Sequence, residues 1–87
     1  MTLPPRRWRD ADGEHIDVRG LSAPAPLVEI LKLVDALAGA ATAPAVVIVH
    51  HDRDPQLLYP ELAERGWRAD IVSGDPGEVR LRLARAP

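Results

Sequence analysis

Eighty-seven residues hold one domain with one core and exclude a second, and because 13 of the 46% apolar residues are alanine, that core is modest. The absence of cysteine excludes disulfides, thiolate metal sites, thiol nucleophiles and persulfide chemistry, and a net charge of -2 exerts no general pull on nucleic acid or anionic lipid. No apolar run reaches the roughly 18 residues of a membrane span, and Met1 to Asp12 lacks the apolar stretch of a signal peptide, so a cytoplasmic protein without membrane contact is expected.

Residues 1–13 contain Pro4, Pro5, three arginines, Trp8, Asp10 and Asp12 with no period of 2 or 3.6, and read as a flexible N-terminal arm ahead of a single domain over 14–87. From Glu14 to Gly20, His15, Asp17 and Arg19 alternate with Ile16 and Val18, which predicts a first strand. Pro24 and Pro26 stop that ladder and open a helix, along which Leu27, Ile30, Leu31, Val34, Leu37 and Ala38 recur at helical spacing up to Gly39. The β-branched run Ala45 to Val49 predicts a second strand ending near His50.

Asp54 followed by Pro55 reads as the cap and first position of a second helix. Leu57, Leu58, Leu62 and Ala63 supply its apolar stripe, Gly66 its left-handed stop, and Pro60 either kinks it or starts it afresh. Trp67, Ala69 and Ile71, then Val79, Leu81 and Leu83, alternate with charged residues on either side of a Ser73 to Gly77 turn, which predicts a hairpin. The order βαβαββ gives a two-layer α/β (α+β) sandwich, a four-stranded mixed sheet with two helices on one face. Its expected core is Ile30, Leu31, Val34, Val47, Val49, Leu58, Leu62 and Leu81, and its other face, with His15, Asp17, Arg19, Arg68, Asp70, Arg80 and Arg82, is expected to stay in water.

If the first two strands are parallel neighbours, the loops after them emerge side by side and gather Arg19, Ser22, His50, His51, Asp52 and Arg53. Such an edge could bind a small anion or an acidic peptide; equally, Arg19 and Arg53 could pair with Asp52 and Asp54 and only brace two loops. Pro24 and Pro26 weaken an anion site, because they remove amide donors from the first helical turn. No metal site is expected, since adjacent His50 and His51 point to opposite faces of a strand and would need His15 or Asp52 to complete one. Ser22 has no announced base, Glu61 and Glu64 sit beside Arg65 on a solvated helix face, and Asp70 and Glu78 interrupt the arginines 68, 80 and 82. No aromatic stacking platform lies among those arginines, so no nucleic-acid surface is expected.

The segment Asp17-Val18-Arg19-Gly20-Leu21-Ser22-Ala23-Pro24-Ala25-Pro26 resembles the signature of the TusA-like sulfur carriers, in which a cysteine stands where Ala23 stands here. A methyl group cannot carry sulfur, so the resemblance does not imply that activity for this chain. His51-Asp52-Arg53-Asp54-Pro55, Leu58-Tyr59-Pro60 and Glu64-Arg65-Gly66-Trp67 narrow the likeness to the cysteine-free relatives with a TusA/SirA-like fold called domain of unknown function 2249. Over Ile16 to Leu83 the resemblance implies the βαβαββ sandwich with sheet order 1-2-4-3 and the fourth strand antiparallel. It adds Ala23 to the candidate edge, and it implies a link to bacterial redox or nitrogen-oxide metabolism and a hemerythrin-like or redox protein as partner. The expected function is a small non-catalytic interaction domain with no cofactor, which docks a protein partner through that edge. A small-anion or metal-binding regulatory module at the same edge is the alternative.

Overall fold

A computed structural model describes residues 5–39 and 46–86. Five strands and two helices follow one another as β1 (Arg6–Asp10), β2 (Gly13–Asp17), α1 (Ala25–Ala38), β3 (Val46–His51), α2 (Leu58–Glu64), β4 (Trp67–Val72) and β5 (Val79–Arg85). The sheet order is β1-β2-β3-β5-β4, with β2 and β3 parallel and every other pair antiparallel. Its last four strands therefore stand in the 1-2-4-3 order implied by the resemblance.

Register explains which side chains meet. Ile16 lies opposite Val49 and Val49 opposite Leu81, so one face of the sheet is a continuous apolar surface, while Ile71, opposite Leu81 on the edge strand, stays exposed. Ile30, Leu33 and Val34 of α1 and Leu58 and Leu62 of α2 close over it, forming one cluster with Ile16, Val18, Val47, Val49, Trp67, Leu81 and Leu83. Both helices thus occupy one face, as the periodicity predicts. The phase of α1 differs by a fraction of a turn: Leu33 is buried, while Leu31 is only half-buried at the rim of the core.

The second helix starts later than the Asp54-Pro55 pair suggests. The Leu58 amide donates to the Pro55 carbonyl in a turn, and the Asp54 carboxylate binds the Gln56 side chain and the Tyr59 hydroxyl instead of capping a helix. Pro60 consequently falls in the first turn of α2, where an amide hydrogen has no helical partner to lose, so it needs no kink. Gly66, at φ 77°, provides the expected left-handed stop.

The larger correction concerns the N-terminus. Arg6–Asp10, expected to lie in a flexible arm, is a strand that pairs with β2 through five residue pairs, which makes the sheet five-stranded rather than four-stranded. Asp10 and Gly13 close the hairpin across Ala11 and Asp12. Gly13 has φ 133°, and a Cβ there would lie 2.5 Å from the Val46 carbonyl oxygen, so only glycine lets β2 approach β3 at this corner. Residues 1–4 of the expected arm and Ala45, the expected start of β3, lie outside the described residues. Among the described residues no helix is long and apolar enough to cross a membrane.

Candidate functional site

The parallel pairing of β2 with β3 brings their following loops together, and an apolar pocket of about 230 Å³ opens between them. Leu21, Pro24, Pro26 and Leu27 line it from one side and Pro55, Leu57 and Leu58 from the other, with Ala23, His51 and Arg53 among its walls. The position at which the sulfur carriers hold their cysteine is therefore a wall of this cavity. Leu57, 74% exposed, extends the apolar surface outward at its rim.

His51, 2% exposed, is the buried polar group of the pocket wall. Its Nδ1 accepts the backbone amides of Asp52 at 2.9 Å and Arg53 at 3.2 Å, which fixes the end of β3 into the loop. The same Nδ1 lies 3.2 Å from Asp52 Oδ1, a longer contact than the Asp52 amide makes; acceptance of the two amides places the ring hydrogen on Nε2, whereas a hydrogen on Nδ1 would serve the carboxylate instead.

The other candidate residues divide by the face to which they point. Arg19 forms a two-pronged ion pair with Asp17, 2.9 and 2.8 Å, and not with Asp52 or Asp54. That guanidinium, with the Arg19 amide, holds the Asp17 carboxyl below its ordinary range against the opposing effect of burial. Asp52 accepts the Gly20 amide at 3.1 Å and so ties the β2 loop to the β3 loop, while Arg53 approaches its other oxygen at 3.4 Å. The Gly20 amide chiefly holds the Asp52 carboxyl low. Ser22 is exposed, and its carbonyl accepts the Ala25 amide at the start of α1. Of the seven candidates, Ala23, His51 and Arg53 meet at the pocket; Arg19, Ser22 and Asp52 shape the loops beside it.

His50 points the other way, to the face opposite the helices, and there it meets a cluster that patterning alone did not reveal. His15 Nδ1 lies 2.8 Å from His50 Nε2, the other nitrogen of His15 is 2.8 Å from Asp10 Oδ1, and the other nitrogen of His50 is 2.6 Å from Glu78 Oε2. The two imidazoles join edge to edge, 19° from coplanar, and the indole of Trp8 lies nearly parallel to both, at 13° and 28°. His15, expected in water on a solvated face, is instead 6% exposed, because Trp8 stands directly opposite it on β1 and covers it.

Glu78 anchors the far end. Burial pushes its carboxyl up, but the Asp75 amide, the Arg80 guanidinium and His50 outweigh that and hold it at about 2. At the near end, the hydrogen bond from His15 is the main reason that the Asp10 carboxyl lies below its ordinary value. Asp12 brings a third oxygen or nitrogen ligand atom within 4.8 Å of those of Asp10 and His15, and Asp10 Oδ1 accepts from both His15 and the Asp12 amide.

Comparison with known proteins places the fold. Residues 15–85 match the family described as uncharacterized conserved protein (DUF2249). The chain belongs to this family. A solved SirA-like protein from Desulfitobacterium hafniense, 25% identical, superposes with a TM-score of 0.63 over 84% of this chain and 97% of its own. No curated protein matches. The family match begins at His15, so β1, with Trp8 and Asp10, lies ahead of it.

Proposed function

We propose that the chain is a non-catalytic binding domain, and that the pocket between the β2–α1 and β3–α2 loops receives an apolar group bearing a hydrogen-bond acceptor, presented by a partner protein. The observation that carries this reading is His51. Its Nδ1 accepts two backbone amides, its Nε2 has no partner among the described residues, and the ring forms part of a mostly apolar wall. No buried side-chain nitrogen or oxygen among the described residues lacks a partner, so this edge of the ring is open to the pocket, where an acceptor on a bound group can replace water. Leu57 supports a protein partner, because an exposed leucine at the lip widens the apolar contact beyond the cavity.

The same geometry speaks against the anion alternative. Asp54 lines the pocket, Arg53 beside it approaches Asp52, Arg19 is occupied by Asp17, and Pro24 and Pro26 leave α1 with few free amides. The expected link to a hemerythrin-like or redox partner belongs to this proposal and rests on the family resemblance alone.

The test uses isovalerate and isovaleramide as probes in NMR titration of the full chain. Shifts are expected within residues 21–27 and 51–58 for both, since each offers a branched apolar group and an acceptor. His51→Asn keeps an acceptor for the two loop amides while removing the Nε2 donor, and is expected to weaken binding about tenfold. Silence of those amides at millimolar probe, or equal affinity in His51→Asn, overturns the reading.

A further inference from the structure

The open face holds a row of four titratable groups, Asp10, His15, His50 and Glu78, joined by contacts of 2.8, 2.8 and 2.6 Å. Each hydrogen bond requires one proton. A carboxylate only accepts, so His15 donates from Nε2 to Asp10 and His50 from Nδ1 to Glu78. Those are the only ring hydrogens of two singly protonated imidazoles. His15 Nδ1 and His50 Nε2 would then face each other at 2.8 Å as two lone pairs, which repel. The central contact is a bond only when the row holds a third proton, shared by the imidazole pair. The carboxyls at both ends are held low and ionised, which leaves that proton on the rings.

We propose that this third proton is the latch of β1: the edge strand is fastened to the sheet while the row holds three protons and loosens when the imidazole pair gives one up. Apart from its backbone ladder to β2 and the exposed Arg9 paired with Glu14, the strand is held through this face. Arg6, Trp8 and Asp10 are its side chains on this face; Trp8 rests on the flat surface that the two bonded imidazoles make together, and Asp10 binds one of them. No residue of β1 belongs to the apolar cluster under the helices. Once the central bond is lost, the rings turn from coplanarity, and the surface beneath the indole is broken.

The charged groups around the row come from every strand that borders it. Arg6 stacks over Trp8 from β1, Asp17 with its partner Arg19 stands beside His50 from β2, and Arg80 binds Glu78 from β5, with Asp75 near Arg80. Arg82, also from β5, pairs across from Ile48. Loading the third proton changes the row from two net negative charges to one, in a setting already balanced by Arg80 and Arg6. When β1 opens, the backbone edge of β2 over Gly13–Asp17 is bared, and an extended segment of another chain could pair with it.

The experiment follows amide hydrogen exchange of the full chain by NMR from pH 5 to pH 9, with each rate corrected for base-catalysed intrinsic exchange. Opening of β1 is expected to rise up to about tenfold per unit of pH over the interval in which the pair loses its proton, the slope of a one-proton linkage. The β5 amides stay flat over the same interval. His15→Gln and His50→Gln remove the shared proton and are expected to abolish the slope. Should either variant fail to fold, the imidazole nitrogen shifts of the unmodified chain still decide: three ring protons with β1 closed, two with β1 open. A flat β1 profile through the loss of the ring proton, or two ring protons with β1 closed, overturns the proposal.

Discussion

The two faces of the sheet are both dry at their centres, and they reach that state by opposite means. Under the helices, Ile16, Val49, Leu81 and their neighbours meet aliphatic side chains, and the contact is non-directional, so small shifts are tolerated. On the open face, one indole covers a hydrogen-bonded row of imidazoles and carboxylates, in which every donor needs its acceptor at a set angle. The two helices among the described residues cover one face; on the other, Trp8 of an edge strand lies over the imidazoles. The difference teaches that the apolar layer carries the stability of the fold, while the polar layer carries its response to conditions.

The comparison can be broken most severely at the helix face. Leu33→Ala removes a buried side chain of α1 and is expected to cost about 2–5 kcal/mol in chemical denaturation, with half-buried Leu31→Ala costing about half as much. Equal losses would mean that the phase of α1 is wrong.

Next in size is Glu78→Gln. A carboxyl held at about 2 in the folded chain against an ordinary 4.5 stabilises the fold fully above about pH 4.5, and that contribution is lost as pH falls toward 2. The variant is expected to lose about 2–3 kcal/mol at neutral pH and to flatten the acid limb of the stability profile, because the amide cannot accept from His50, Arg80 and the Asp75 amide as the carboxylate does. An unchanged acid limb would remove Glu78 from the row.

Trp8→Ala sharpens the contrast further. It uncovers the imidazoles and is expected to cost about 1–2 kcal/mol, with amide exchange accelerated in β1 and β2 and unchanged in α1 and α2. Uniform acceleration throughout the domain would show that the two layers are one cooperative unit. The smallest effect belongs to Arg19→Ala: an exposed arginine paired with Asp17 should leave the denaturation midpoint where it was, and a measurable fall would give the loop brace a larger role than its exposure allows.

Much of this was legible in the residues. Aliphatic alternation marked β2, β4 and β5, the β-branched run marked β3, and the prolines and Gly39 bracketed α1. The strand that went unread, Arg6–Asp10, has one apolar residue in five, so no alternation of hydrophobic and polar residues exists to be seen. Its partner surface is imidazole, and binary patterning has no symbol for an aromatic that packs on a polar ring. A signal was nonetheless present in Asp12-Gly13, a turn dipeptide directly ahead of the strand now called β2. The pocket was half legible: parallel pairing of β2 with β3 assembled Ala23, His51 and Arg53, but whether Arg19 would take Asp17 or reach across to Asp52 depended on side-chain geometry that spacing does not determine. His50 was placed at the right strand end and on the wrong side of the sheet for the site proposed.

The alternation of β1 also limits how this hairpin can change length over generations. Trp8 and Asp10 serve the histidine row only because they are two residues apart and therefore share a face. Loss of Arg9, the one residue between them, turns Trp8 to the helix side and brings Arg7 to the imidazoles, while two residues gained keep the indole on the same side but carry it about 6.8 Å along the strand, off His15. Face and register together thus fix the spacing of Trp8 and Asp10 at a single intervening residue in any descendant that keeps the row, and length changes are confined to the chain ahead of Trp8.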